Sequence, residues 1–362
     1  MSMKNIKIAD KVLGEHKPCF IIAEAGVNHN GSVVLAKRLI DAAKNAGADA
    51  VKFQAFRAEK VVIKDAVKAE YQKDKKRPQE SQYEMIKKLE LREEDFGRLF
   101  RYAARKKIIF LSSPFDRDSV DMLDELGVPA FKVASGEITN FPLLEHIAKK
   151  GKPIILSTGM SNIKEIKETL RQIKKKHPAG IMLLHCVTSY PARPEDMNLR
   201  AMETMKKVFG VPVGLSDHTS GAKIAIAAVA LGACVIEKHF TLDKKLPGPD
   251  HKVSLSPEEL KEMIRSVREV EKSLGNGIKK CTASEKEIKL AVRRSVIAAV
   301  DIPKSNIIEM NMLEIKRPGT GIQPKYLYRI VGGRAKKDIK QDAVISPGDF
   351  QEKRHNRKDE TH

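Results

Sequence analysis

A chain of 362 residues with 41% hydrophobic and 31% charged side chains has room for one large α/β domain and a small appendage, and needs no covalent staples to hold a core. Its formal charge of +20 would suit a nucleic-acid partner, but the lysines spread over helix faces (Lys164, Lys167, Lys174, Lys175, Lys176), aromatics are only 5%, and no DNA- or RNA-binding signature is present. The charge therefore reads as a solvated surface that attracts anionic metabolites rather than nucleic acid.

In chain order, short β-branched runs at 19–23, 50–54, 108–112, 130–134, 153–157, 181–185, 211–215 and 234–238 are predicted strands. Amphipathic stretches at 33–46, 93–106, 119–126, 143–150, 163–176 and 222–231 lie between them, and 257–274 follows the last. Gly47, Gly127, Gly151 and Gly232 stand where such helices would end. This alternation predicts a (β/α)8 TIM barrel over 1–280. Beyond Gly275-Asn276-Gly277 the rhythm breaks: a linker at 281–294, a small β-rich or irregular domain at 295–353, and a disordered charged tail at 354–362 are expected.

The apolar run 224–236 is interrupted by Gly232 and too short to span a bilayer, and 1–14 lacks the apolar stretch of a secretory leader. A cytoplasmic protein without membrane contact is expected. Cys19, Cys186, Cys234 and Cys281 form no CxxC pair, and three lie in apolar runs, so reduced thiols are expected.

In a barrel of this kind the active site forms at the C-terminal ends of the strands. Those ends carry Glu24 with Asn28; Lys52 and Gln54; Ser112 and Ser113; Lys132, Ser135 and Glu137; Ser157 and Thr158; His185, Thr188 and Tyr190; Ser216, Asp217 and His218; and Glu237, Lys238 and His239. Two inward lysines are costly without an anion. With Ser113, Ser135 and Ser157, Lys52 and Lys132 suit a phosphate and a carboxylate on one small molecule. The competing arrangement is a rim ion pair between a lysine and Glu24 or Glu137. His218 and His239 close neighbouring strands and can share a divalent cation with open positions for water or substrate; alternatively each is an ordinary structural histidine. The stiff loop 246–251 presents Asp250, and the turn 316–321 exposes the Arg317 guanidinium.

The motifs Phe20-Ile-Ile-Ala-Glu-Ala-Gly-Val-Asn-His29, Val51-Lys-Phe-Gln54, Lys132-Val-Ala-Ser-Gly-Glu137, Ile155-Leu-Ser-Thr-Gly-Met160, Gly214-Leu-Ser-Asp-His-Thr219, Glu237-Lys-His-Phe240, Pro247-Gly-Pro-Asp250 and Lys316-Arg-Pro-Gly-Thr-Gly321 resemble the N-acetylneuraminate (sialic acid) synthase family over roughly 17–350. The resemblance implies a TIM barrel followed by an antifreeze-like (SAF) domain, assembled as a domain-swapped homodimer. It implies condensation of phosphoenolpyruvate with N-acetylmannosamine or a related N-acylated amino sugar. Lys52, Ser113, Lys132, Ser135 and Ser157 would hold phosphoenolpyruvate. His218 and His239 would hold Mn2+, with Mg2+ or Co2+ as substitutes. Gln54, Glu137, Tyr190 and Asp250 would face the sugar, Arg317 would reach its acyl group from the partner subunit, and Glu24 would lie beside the reacting carbons. Thr188, counted among the substrate-binding residues, stands where some members carry Asn, and the loop 70–83, which helps grip the sugar, varies between members. A Schiff-base aldolase acting through Lys52 or Lys132, a related sugar-phosphate synthase, and a non-catalytic sugar or polyanion binder are the competing readings.

Overall fold

Alternation of inward and outward side chains along eight short parallel strands sets the architecture. The computed structural model describes residues 5–72, 79–174 and 179–353; Lys175, Lys176, the interior of the loop 70–83 and the tail 354–362 lie outside the described residues. The strands are β1 (Phe20–Gly26), β2 (Ala50–Ala55), β3 (Ile109–Pro114), β4 (Phe131–Val133), β5 (Ile154–Ser157), β6 (Ile181–Cys186), β7 (Val213–Asp217) and β8 (Val235–His239). They lie in the order β3-β2-β1-β8-β7-β6-β5-β4. The last strand pairs with the first, Val235 opposite Phe20 through His239 opposite Glu24. β3 and β4 pack side by side without ladder bonds, giving a nearly closed TIM-like barrel.

Inward residues of the lower barrel, among them Phe20, Ile22, Leu111, Ile155, Met182, Leu184 and Val235, form one buried cluster. Ile6, Ile8 and Leu13 join that cluster from an N-terminal hairpin (Ile6–Ile8 with Lys11–Leu13) and plug the end where the strands begin. Outward residues such as Ile21, Val51, Phe53, Phe131, Leu183 and Ile236 pack against the helical ring. Its helices follow the expected positions. Val33–Ala46 is capped by Ser32 and ends at Gly47 with φ 89°, a left-handed conformation that glycine adopts without strain. Pro257–Leu274 opens with a Ser256/Glu259 capping box. The hairpin, the helix Ala201–Phe209 between β6 and β7, and the short helices Ala58–Val61 and Gln82–Lys87 after β2 are additions to the sequence-based reading. Ala58–Val61 and Gln82–Lys87 each bury one side chain, too few to show a period, whereas Ala201–Phe209 buries Met202 and Met205 on one face.

The chain divides into two compact units, Met1–Gly275 and Asn276–His362. The second has its own core of Val296, Ala298, Ile302, Ile308, Ile330 and Phe350. It contains two small antiparallel pairings, Ser295–Ala298 with Leu313–Lys316 and Arg334–Ala335 with Phe350–Gln351. The stretch 281–294, expected as a linker, includes the helix Glu285–Val292. Ser295 Oγ donates to the Pro318 carbonyl (2.6 Å) and accepts from Gly321 N (2.9 Å), which fixes the turn that exposes Arg317. Among the described residues no helix is long and apolar enough to cross a membrane. Cys19, Cys186 and Cys234 are buried free thiols and Cys281 is exposed.

Gly214 occupies an inward position on β7 where a Cβ would stand 2.4 Å from the Val235 carbonyl oxygen and 2.9 Å from Leu184 Cδ2. Gly214→Ala is expected to destabilise the barrel by about 1–3 kcal/mol through overpacking against backbone. A lowered midpoint in thermal unfolding checks this, and an unchanged midpoint would show slack in this layer.

Candidate active site

The inward positions that are apolar at the base of the barrel become polar at its top. Strand register decides which polar groups meet: pairing sets Glu24 opposite Lys52 and His239 opposite Glu24. Lys52 Nζ lies 2.8 Å from Glu24 Oε2, 3.1 Å from Ser113 Oγ and 3.7 Å from Glu237 Oε2. Across the barrel, Lys132 Nζ donates to Ser157 Oγ (2.8 Å) and lies 3.4 Å from Glu237 Oε1. Ser216 Oγ donates to the same Glu237 oxygen at 2.9 Å. Glu24, Lys52, Lys132 and Glu237 are all buried.

Four ionisable groups in one buried box constrain one another. Burial disfavours the carboxylate of Glu24 and raises its pKa despite Lys52. Burial also acts upward on Glu237, but Lys132 and Lys52 overcome it and hold this carboxyl well below the usual range. The two glutamates are thus driven apart, the pattern that separates a proton carrier from a permanent anion. Burial, with Lys52 nearby, lowers the pKa of Lys132.

Ser135 Oγ accepts from Gly159 N at 2.9 Å. A side chain at Gly159 would collide with Thr188 Oγ1 at 2.2 Å and Ser135 Oγ at 2.9 Å, so glycine lets the β5 end close onto β4 and β6. Thr188 is exposed, its hydroxyl 4.0 Å from Cys186 Sγ. Glu137 is half-buried; its carboxylate accepts from Asn140 Nδ2 at 2.7 Å, and burial raises its pKa. Gln54 Nε2 is 3.5 Å from Glu24 Oε1.

His218 and His239 face each other with ring centroids 5.5 Å apart. His218 Nδ1 lies 2.8 Å from the Val187 carbonyl, a contact that makes it the protonated nitrogen and turns Nε2 towards Tyr190 Oη at 3.2 Å. His239 Nδ1 is buried without a hydrogen-bond partner and lies 3.8 Å from Asp250 Oδ2. Burial holds the His239 pKa well below the ordinary value, so its imidazole is neutral. Burial acts downward on the His218 pKa, but contacts with Cys186 and the Val187 carbonyl outweigh it and raise the value. The neutral, orphaned His239 nitrogen and His218 Nε2, beside the Asp250 carboxyl, are the groups that could hold a divalent cation. Among the described residues no group of three or more His, Cys, Asp or Glu side chains is arranged to hold a metal ion, so the protein side of such a site would be the two histidines.

Asp250, buried, has its pKa pushed up to about 6 by desolvation. Its loop is pinned from below. His251 pairs with Thr241 Oγ1 (2.6 Å) and Asn30 Oδ1 (3.2 Å), while Asn28 Nδ2 donates to Ser254 Oγ (3.0 Å), which in turn donates to the Asp250 carbonyl (2.6 Å). Arg317 lies in the second unit and is exposed.

Several expected rim residues do other work. Ser112 Oγ donates to the Phe53 carbonyl, Thr158 Oγ1 to the Leu184 carbonyl, and His185 Nε2 contacts the Met197 carbonyl. Lys238 and Asp217 point to the opposite face from the histidines they precede and form a fully buried pair at 2.7 Å that ties β8 to β7. The lysines take Glu24 and Glu237 as partners, not Glu137. Residues whose roles the sequence-based reading missed are Glu237, Cys186, whose Sγ is 3.7 Å from His218 Nδ1, and Tyr71, which stacks on Tyr190 at 4.7 Å. Tyr190 in turn lies over His218 at 4.2 Å, completing a three-ring stack. Period-two alternation would have pointed inward to Glu237; nothing local marks Tyr71.

The chain as a whole is similar to known proteins. Residues 39–279 match the NeuB family and 293–351 the SAF domain. The chain is 50% identical over 331 residues to the N,N'-diacetyllegionaminic acid synthase of Campylobacter jejuni, covering 91% of this chain and 99% of that one. It is 48% identical over 339 residues to the synthase of the same name from Legionella pneumophila, covering 92% and 95%. The crystal structure of an N-acetylneuraminic acid (sialic acid) synthetase from Leptospira borgpetersenii, in complex with citrate, superposes with a TM-score of 0.69 at 39% identity, covering 79% of this chain and 95% of that one.

His29 beneath the Asp250 loop accepts from Gly31 N at 3.0 Å, leaves Nε2 buried without a partner, and has its pKa lowered to about 4 by burial and by His251. Unfolding lets it protonate at its ordinary value of 6.5, so its contribution is full above that pH and is lost as pH falls towards 4. The unfolding free energy is expected to drop by up to about 3 kcal/mol across this window from His29 alone. Denaturant titrations of the parent and His29→Gln at pH 7 and pH 4.5 check it; equal pH slopes would contradict it.

Proposed function

Since the chain belongs to the NeuB family, we propose that it is a synthase joining phosphoenolpyruvate, the open-chain aldehyde of an N-acylated hexosamine such as N-acetylmannosamine, and water to give a nonulosonic acid of the N-acetylneuraminate type and inorganic phosphate. The observation that carries this reading is the buried two-lysine box that abuts a pair of inward histidines through Glu24. A small polyanion supplies what two desolvated lysines need, and phosphoenolpyruvate carries a phosphate and a carboxylate on adjacent groups.

In this proposal Lys52, Ser113, Lys132, Ser135 and Ser157 hold phosphoenolpyruvate so that its C3 meets the aldehyde carbon within attack distance. Gln54, Glu137, Thr188, Tyr190 and Asp250 orient the sugar. His218 and His239 hold a divalent cation, Mn2+ or one of similar preference; when bound it polarises the aldehyde oxygen as a Lewis acid. Attack by C3 forms the new C–C bond and leaves positive charge at C2, beside Glu24. Water adds at C2, and the C2–O bond to phosphate then breaks, so the bridging oxygen leaves with phosphate. Glu24, whose burial keeps a proton within reach near neutral pH, is the proposed proton carrier, and Glu237 remains the permanent counter-charge to the lysines.

A lysine with a lowered pKa is also what a Schiff-base aldolase uses, and Lys132 meets that condition. The two readings separate cleanly. Phosphate release from phosphoenolpyruvate with a panel of N-acylated hexosamines should require a divalent cation, stop with EDTA and carry bridging-oxygen label into phosphate. Lys52→Met should lower kcat/KM for phosphoenolpyruvate by about a hundred-fold or more, and His218→Ala or His239→Ala should abolish metal-dependent turnover. Borohydride trapping of pyruvate with indifference to EDTA would sink the synthase reading.

The homodimer belongs to the same proposal: a second copy supplies Arg317 to the acceptor's acyl group. Arg317→Ala mixed with Lys52→Met is expected to regain part of the activity after subunit exchange. Failure to regain any in demonstrably mixed dimers would remove the shared site.

A further inference from the structure

Asn28 follows β1 and is buried, and its side-chain amide reaches two places at once. Nδ2 donates to the Phe240 carbonyl at 2.8 Å and to Ser254 Oγ at 3.0 Å. Phe240 is the residue after His239, and its own N–H donates to the Glu24 carbonyl at 3.0 Å. Ser254, equally buried, passes the grip on: its hydroxyl donates to the Asp250 carbonyl at 2.6 Å. One amide thus spans the ends of β1 and β8 and the loop that carries Asp250. Since Asn28 Oδ1 takes no donor from the protein, the two N–H groups do all of this residue's work.

The loop returns beside β8 in a way that makes the grip effective. Leu255 N donates to the His239 carbonyl and Thr241 N to the Leu255 carbonyl, both at 2.9 Å, which sets Leu255 in a parallel bridge with Phe240. The chain is therefore registered on the strand end just past the histidine, and the Asn28–Ser254 relay carries that register back to Asp250. The Asp250 carboxylate is turned to His239 Nδ1 at 3.8 Å, beyond hydrogen-bond length. Its aim is then set through its backbone, and a group facing a substrate has to be held to within about 0.5 Å. A second anchor, His251 on Thr241 and Asn30, holds the adjoining residue. It keeps the loop attached when the relay is cut.

We propose, resting on the synthase reading, that Asn28 and Ser254 are positioning residues: their relay holds the Asp250 carboxylate between His239 and the acceptor sugar without itself touching a substrate. The relay reaches β1 and β8 but not the strands that carry Ser113, Lys132 and Ser157, so it governs the acceptor side of the site and leaves the phosphoenolpyruvate side alone.

The test measures phosphate release by the full chain with Mn2+, phosphoenolpyruvate and N-acetylmannosamine, or the member of the same hexosamine panel that releases phosphate fastest. Ser254→Ala should raise KM for the acceptor by about five-fold or more and Asn28→Ala by about ten-fold or more, with KM for phosphoenolpyruvate moved by less than about two-fold. Because the relay acts through Asp250, Ser254→Ala added to Asp250→Asn should raise the acceptor KM no further than Asp250→Asn does alone. A role in stability only would lower the thermal midpoint and kcat, leave both KM values in place and carry over undiminished into the double variant. That pattern, an equal rise in both KM values, or an acceptor KM indifferent to Asp250→Asn overturns the relay while leaving the synthase reading standing. If Asn28→Ala does not fold, Ser254→Ala and the double variant decide the matter. Phosphate release with none of the sugars overturns both.

Discussion

Pairing of the last barrel strand onto the first is the constraint from which the site follows. β8 meets β1 in a register that sets His239 beside Glu24, and β1 meets β2 in a register that sets Glu24 beside Lys52. Three chemistries, metal-ligand type, acid and cation, therefore meet across neighbouring strands although their residues are far apart in sequence. A slip of one residue in either ladder would turn a whole strand's inward set outward. The apolar plug below, contributed by the hairpin residues Ile6, Ile8 and Leu13, and the close contact of Gly214 with Val235 help hold those ladders in place.

The same closure explains why the charges are tolerated. Each lysine of the box would be prohibitive alone, but Lys52 with Glu24 and Glu237, and Lys132 with Glu237, share their counter-charge within a few ångströms. The arrangement leaves two cations facing one strongly acidic carboxylate and one reluctant one. That imbalance leaves positive potential at the rim, while burial raises the Glu24 pKa. Outside the barrel wall the Lys238–Asp217 pair uses the same physics for a different end, tying together the two strands whose next residues are the histidines.

The described parts of the segment after β2 pack against one side of this rim. Its helices are short and bury few side chains, yet it delivers Tyr71 to the outer face of Tyr190 and an apolar wall to the cavity beside His239.

Much was legible in the sequence by itself. Period-two runs punctuated by glycine-ended amphipathic stretches identify the barrel, and the residues closing each run mark Glu24, Lys52, Ser113, Lys132, Ser157, His218 and His239 as the inward rim, because alternation and strand ends are local properties of the chain. What only the tertiary structure decided is which of them touch. Glu237 rather than Glu137 balances the lysines, Asp217 and Lys238 face away from the site, and Tyr71 caps the histidine stack. Those outcomes depend on strand register and on a loop folded back over the barrel, and both are set by contacts between residues distant in sequence that no local pattern encodes.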